Sequence, residues 1–431
     1  MTDVDLMLRF LVQLLVVLGA CRAVGWLGQR FLGQTQVVME MVVGVCLGPS
    51  LLGAFLPKAQ AWLFPSAVVA KLDGVPVKHP SMGVLYVMAQ LGLVLYMFLV
   101  GTEFDLGLLG KRAKGAIGVS MAGILLPFAL GATLAFGLRG RGDLFAPTVS
   151  GGEAALYLGA SMCITAFPML ARILVERGIA KTSMGTLALG AGAADDAAAW
   201  GLLAVVLASY KHDIRYALFA IVGGVLFAGL TQTVGKALFR RLGEAVERAG
   251  EMPQAIFALT MVVLFAGAWA TDALGIYAVF GAFLIGVAMP RGRFVEILRA
   301  KMESLTVSVF LPFFFVYSGL NTKLGLLDSP ALWGIAALAC IAAVAGKFGG
   351  CALAARLSGE SWRDSSAIGV LMNARGLMEL IILNIGLQQK VITPTLFTIM
   401  VLMAIVTTLM ASPLFVWLYR PRTIPTAAAT A

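Results

Sequence analysis

The sequence predicts an all-α polytopic membrane protein with about 13 transmembrane helices, and three observations carry that expectation. Of its 431 residues, 60% are hydrophobic and 13% charged, where ordinary soluble domains are about 25% charged. The mean hydropathy of +0.93 implies more apolar area than a core of this size can hide from water. Apolar stretches long enough to cross about 30 Å of hydrocarbon recur along the whole chain. The 49 glycines suit helices that pack closely and break in places.

In the first half the stretches fall near 7–28, 37–55, 83–101, 114–138, 154–174 and 183–209, followed by a linker helix near 214–236. The second half has them near 254–270, 272–290, 304–320, 332–356, 364–387 and 394–419, the first two separated only by Thr271 and Asp272. Six spans, one linker and six more place the halves in opposite orientations, as an inverted repeat requires. Residues 1–420 therefore read as one transmembrane unit and 421–431 as a short cytoplasmic tail, with no soluble regulatory or catalytic domain expected beyond it.

An odd number of spans puts the termini on opposite sides, and the Lys/Arg bias chooses the orientation. Nineteen basic residues fall in one set of loops and nine in the other, which predicts the N-terminus outside and the C-terminus in the cytoplasm. The net charge of +10 is dispersed in short loops without aromatic interleaving, so it argues for membrane topology and against nucleic acid. The five cysteines all lie in apolar segments, and neither a disulfide framework nor a metal cluster is expected from them. An acidic start, Met1-Thr2-Asp3-Val4-Asp5, argues for a retained first helix over a cleaved signal.

Four basic residues remain, of which Arg9 and Arg22 can snorkel from the ends of helix 1 whereas Lys347 and Arg375 lie deep. Asp195 and Asp196 sit midway along helix 6, flanked by alanine and glycine. Each charge at that depth costs at least about 2.5–3.5 kcal/mol, so both need a partner or an aqueous cavity. Neighbouring helical residues point about 100° apart, so one carboxylate can face a cavity while the other faces a neighbouring helix. Lys347, in a run of glycines, needs a carboxylate, and helix 6 offers one.

Two spans read as interrupted. Pro168 in helix 5 removes a backbone donor and frees a carbonyl near Ile164. Asn373, Arg375 and Glu379 place polar groups at the centre of helix 12, with Arg375 and Glu379 four residues apart, close enough to pair. Interrupted helices in matching positions of two halves point to an ion site at the midplane, where half-helix ends supply dipoles and free carbonyls. Glu40 and Glu103 read as cavity-lining or interfacial, and Gln90 as a hydrogen-bonding residue between helices.

These residues carry a resemblance. Val43–Gly53, Ser161–Leu174, the Ala-Asp-Asp-Ala-Ala-Ala-Trp run at 194–200, Gly275–Gly292, Lys347 with its glycines, and Leu371–Gly386 are similar to stretches of the cation:proton antiporter-2 family. The chain resembles in particular its bacterial and plant cation/H⁺ exchanger branch. The resemblance implies the sodium/proton antiporter fold, with two broken, crossing helices and a core moving against a dimerisation domain, hence a homodimer in the inner membrane. It implies that Asp196 is the shared cation and proton site, that Asp195 pairs with Lys347, and that Thr165 and the unwound backbone beside it line the site.

The expected function is exchange of Na⁺ or K⁺ for H⁺ by alternating access, with no cofactor and no enzymatic activity. Burial favours a neutral carboxylic acid and a nearby ammonium favours the carboxylate; their balance lets proton and cation exclude one another at Asp196. A passive cation channel or a symporter of small organic anions is the alternative. An intramembrane aspartyl protease needs carboxylates converging from separate helices, which adjacent aspartates do not provide.

Overall fold

Every expected apolar stretch coincides with helix in the computed structural model. It describes residues 2–419 except 33, 35, 66–67, 73–74, 104–112, 168–169, 171–172, 175–178, 180–181, 211–213 and 275–277. The expected tail at 421–431 lies outside the described residues, as does Pro168.

The first half comprises α1 (Asp3–Leu32), α2 (Gln36–Leu47), the short α3 (Leu52–Phe55) and α4 (Pro57–Leu63), α5 (Pro80–Glu103), α6 (Ala113–Leu138), α7 (Gly151–Cys163) and α8 (Ser183–Tyr210). Asp3 and Asp5 in the first turn of α1 and Arg30 in its last complement the helix dipole. The second expected span stops at Leu47 and turns through Gly48-Pro49-Ser50 before α3, because a proline there cannot donate to the ladder. Between α4 and α5 lies an antiparallel hairpin, β1 (Val68–Leu72) and β2 (Val75–Lys78), with an irregularity between Val68 and Ala70. Hydropathy alone did not anticipate it.

The linker α9 (Ile214–Leu230) runs through a π-helical turn at Thr231–Gly235 into α10 (Lys236–Ala249), closed by Gly250 at φ 74°. The second half comprises α11 (Gln254–Ala273), α12 (Ala278–Ala288), α13 (Arg293–Leu305), α14 (Leu311–Leu320), α15 (Pro330–Leu357), α16 (Trp362–Met372), α17 (Leu377–Gln388) and α18 (Pro394–Leu418). A second π turn, Thr306–Phe310, joins α13 to α14. Two expected spans thus continue into amphipathic helices, α10 and α13, whose charged faces the apolar pattern did not include.

Among the described residues, nine helical segments are long and apolar enough to cross a membrane unaided, whereas α12 and α17 are shorter apolar pieces. Large apolar side chains such as Leu15, Phe31, Trp269, Leu357 and Trp417 are exposed, as expected of surfaces solvated by lipid tails.

The packing falls into two bodies. One is built from α1, α2, α5, α11, α12 and α14; the other from α6, α7, α8, α15, α16, α17 and α18. Contacts occur in matched sets across the halves: α1 on α2 and α11 on α12, α2 on α14 and α5 on α12, α6 on α8 and α15 on α18. An inverted repeat produces such pairs, because each contact has a symmetry mate. Two of these mates are glycine crossings. A Cβ on Gly44 of α2 would lie 2.6 Å from the Phe315 carbonyl oxygen of α14, and one on Gly319 would run into Gly44 in return. Gly101 of α5 and Gly286 of α12 exclude a side chain from each other in the same way.

Gly319→Val is therefore expected to destabilise the protein by about 1–3 kcal/mol or more, read as a lower melting temperature in detergent. Gly334→Val is expected to leave that temperature unchanged, because a Cβ there meets nothing within 4 Å.

Candidate ion-binding site

The site is assembled where α7 and α16 stop inside the second body. Ser150 and Glu153 form a reciprocal capping box at the start of α7, and the helix ends at Cys163, beyond which Ile164 is extended at φ −79°, ψ 136°. Helix α16 ends at Met372, and Asn373–Gly376 leave the helical path before α17 begins. The two breaks cross, with the Ala166 N–H donating to the Ala374 carbonyl at 3.0 Å. The Thr165 Oγ1 lies 3.1 Å from the Met372 carbonyl oxygen.

A helix that ends leaves its last carbonyls without intrahelical donors. In α7 these oxygens are met by two cations. Arg375 donates from Nη2 to Met162 O at 2.6 Å and from Nη1 to Ser161 O at 3.3 Å. Lys347 donates from Nζ to Cys163 O. Both cations are almost fully buried and each has a carboxylate: Lys347 Nζ is 2.5 Å from Asp195 Oδ2, and Arg375 Nη1 is 3.2 Å from Glu379 Oε2. The Arg375 backbone is tied to α18, its N–H donating to Thr408 Oγ1 at 3.1 Å.

The Lys347–Asp195 pair is closed. The third ammonium proton goes to Gly123 O at 2.9 Å. Asp195 accepts Thr165 Oγ1 on Oδ2 at 2.7 Å and Ser120 Oγ on Oδ1 at 2.6 Å. Lysine reaches this place because α15 crosses α6 at backbone distance: a Cβ on Gly350 would be 2.6 Å from the Ala122 carbonyl oxygen. That approach accounts for Gly346 and Gly350, whereas a Cβ on Gly349 would meet nothing within 4 Å.

Asp196 is 1% exposed, yet neither of its carboxylate oxygens has a hydrogen-bond partner among the described residues. The backbone N–H of Phe167, just past the α7 break, approaches it.

The structure brings together Asp195, Lys347 and Thr165 by direct contact, and places Asp196 beside the break. Thr165, expected to line the site with Asp196, has its hydroxyl on Asp195. Arg375 and Glu379 pair as their spacing suggested. Asn373 turns away from the crossing, its Nδ2 3.4 Å from Val344 O of α15. Ser120 went unnoticed in the sequence; with Thr133 it is one of two hydroxyls in a largely apolar α6, and the one that is buried. Pro168 pointed to a free carbonyl near Ile164; that Ser161, Met162 and Cys163 accept from the two cations carries no sequence signal. Glu103 pairs with Arg299 of α13, and buried Glu40 accepts Gln36 Nε2 at 2.9 Å; both lie in the first body's helices.

Two opposed helical repeats, each with a span broken at mid-depth, and a buried carboxylate beside the crossing define an integral multi-pass membrane transporter that handles small ions. The chain belongs to the sodium/hydrogen exchanger family, whose transmembrane model matches residues 14–420. It is 37% identical over 424 residues to the Na⁺/H⁺ antiporter NhaS4 of Synechocystis, covering 97% of this chain and 98% of that one. It is 37% identical to cation/H⁺ antiporter 17 of Arabidopsis thaliana, covering 95% of this chain and 48% of that one. Identity to K⁺/H⁺ antiporter 1 of Saccharomyces cerevisiae is 30%, over 94% of this chain and 46% of that one. The chain thus spans about half the length of the plant and yeast relatives. The solved structure of the sodium/proton antiporter MjNhaP1 of Methanocaldococcus jannaschii shares the fold, with a TM-score of 0.58 at 14% identity over 95% of this chain and 96% of that one.

Removing one partner of a buried ion pair strands the other charge, a loss of about 3–5 kcal/mol. Lys347→Ala is therefore expected to lower the melting temperature sharply, since it also uncaps Cys163. Asp195→Asn combined with Lys347→Gln is expected to recover part of that loss. A thermal melt of the purified variants in detergent checks both.

Proposed function

We propose that this cation/proton antiporter exchanges Na⁺ or K⁺ for H⁺ at Asp196, by alternating access of one site to the two faces of the membrane. The observation that carries the reading is the contrast between adjacent aspartates. Asp195 is saturated by Lys347, Thr165 and Ser120, so neither a proton nor a cation can reach it without breaking the pair. Asp196 is buried with both oxygens open among the described residues. A carboxylate in that state takes a proton or a partly dehydrated cation, not both, and either one neutralises it.

In this reading Asp195 and Lys347 are the fixed charges that hold the α7 break, and Thr165 is a positioning residue that ties the two breaks to Asp195. Pro168, Asn373, Arg375 and Glu379 support the broken helices. The residues from 1 to 420 act as one transporting unit, in which the second body moves against the first. That first body is the dimerisation face of a homodimer. The protein lies in the inner membrane with its N-terminus outside, and residues 421–431 form a cytoplasmic tail. The loop bias of nineteen basic residues to nine supports that orientation.

Proteoliposomes with an internal pH dye test the site. Asp196→Asn is expected to abolish Na⁺- and K⁺-dependent proton flux while leaving the melting temperature close to that of the parent; exchange retained at the parent rate would overturn the assignment. Competition for one carboxylate also predicts that the apparent KM for the cation rises about tenfold per pH unit on the acid side of the transition, with the maximal rate unchanged. A KM independent of pH rules out a shared site. A C-terminal fluorescent fusion is expected to glow in the cytoplasm, where a C-terminal alkaline phosphatase fusion stays inactive; active phosphatase would invert the topology.

A further inference from the structure

The linker α9 and its extension α10 have a feature that ion exchange does not use. Along the outer side of the linker, Val222, Val225, Leu226, Leu230, Val234 and Leu238 are exposed apolar side chains. The apolar stripe ends at Leu238, so this is the depth at which lipid tails give way to headgroups. At that level a cavity of about 520 Å³ opens between the helix and the turn joining α12 to α13, lined by Gln232, Lys236, Arg240, Glu244 and Glu247 from the helix and by Pro290 and Arg291 from the turn, Arg291 being engaged by its Nη1 on the Thr102 carbonyl.

The charges are ordered. Lys236 and Arg240 come first, on the side of the membrane-spanning α9, and neither has an ion-pair partner among the described residues. Glu244 and Glu247 follow one turn further out, Glu244 making only a 3.6 Å contact with exposed Arg248, the kind of surface pair that contributes little. The amide Nε2 of Gln232 is buried at the inner end of the cavity with no partner among the described residues. The scaffold is firm: the π turn packs on α12, α10 packs on α13, and a Cβ on Gly243 would lie 3.0 Å from Pro290.

We propose that this cavity binds the zwitterionic headgroup of a phosphatidylethanolamine-type lipid, its phosphate on Lys236 and Arg240 and its ammonium on Glu244 and Glu247. A purely anionic headgroup would satisfy the bases and leave two carboxylates facing it. An ammonium carried on a two-carbon bridge reaches about one helical turn from its phosphate, which is the separation of Arg240 from Glu244. Gln232 Nε2 is placed to donate to a phosphate ester oxygen. The primary ammonium donates three hydrogen bonds to the carboxylates; the methylated ammonium of a choline lipid donates none. Since the linker joins the two bodies, a headgroup wedged against it ties lipid composition to the element that spans their movement.

Native mass spectrometry and thermal melts of the detergent-purified protein test this with added phosphatidylethanolamine, phosphatidylglycerol and phosphatidylcholine, alongside soluble phosphoethanolamine and inorganic phosphate. The ethanolamine lipid is expected to be retained and to raise the melting temperature, with retention weakened about tenfold or more in each of two charge-neutralised proteins, Lys236→Gln with Arg240→Gln and Glu244→Gln with Glu247→Gln. Ala237→Trp, which fills the cavity without changing charge, is expected to give the same loss while the protein elutes as a single species. Retention of phosphatidylglycerol equal to that of phosphatidylethanolamine and unaffected by the glutamate substitutions would overturn the zwitterion. Inorganic phosphate raising the melting temperature as much as the lipid does would overturn the lipid as its source. Full lipid retention in Ala237→Trp would overturn the cavity.

Discussion

A helix that stops in the middle of a membrane leaves carbonyl oxygens that water cannot reach, and the second body is organised around supplying donors to them. Helix α7 ends at Cys163, and Ser161, Met162 and Cys163 receive their hydrogen bonds from Arg375 and Lys347. Cations suit the negative end of a helix dipole. Once two cations are buried there, two carboxylates must follow, and Glu379 and Asp195 are those carboxylates. The deep charges that stand out in an apolar chain are therefore mostly consequences of one broken helix.

Asp196 is the exception, and helical geometry explains it. Successive side chains diverge by about 100° around a helix. With Asp195 aimed at α15 and α6, its neighbour points elsewhere, toward Phe167 just past the break. Two chemically identical residues thereby acquire different work: one is locked in a closed set of hydrogen bonds, and the other is left with open oxygens in a place where only a small ion or a proton neutralises it. The backbone bond between Ala166 and Ala374 holds the two breaks together.

The first body supplies something different. Its helices meet at glycine pairs, Gly44 with Gly319 and Gly101 with Gly286, so its crossings are made by backbone and leave little freedom to repack. The linker itself runs through a π turn and ends as a charged helix packed on α13.

By itself the sequence determined the apolar spans and the identity of the charges that had to be paired, because hydrophobic length and the expense of buried charge are properties of composition along a chain. It pointed to both interruptions, since Pro168 and the Asn373–Glu379 cluster break an apolar pattern, and the spacing of Arg375 and Glu379 anticipated their pair. It was silent on the hairpin before α5, on the continuation of two spans into amphipathic helices, and on Ser120, whose hydroxyl gains meaning only when α6 lies against α8. The family resemblance already implied that Lys347 pairs with Asp195; only the tertiary structure decided that Thr165 joins that same carboxylate. That choice depends on backbone approach at glycine crossings and on carbonyls exposed by a helix end, neither of which has a side chain to read.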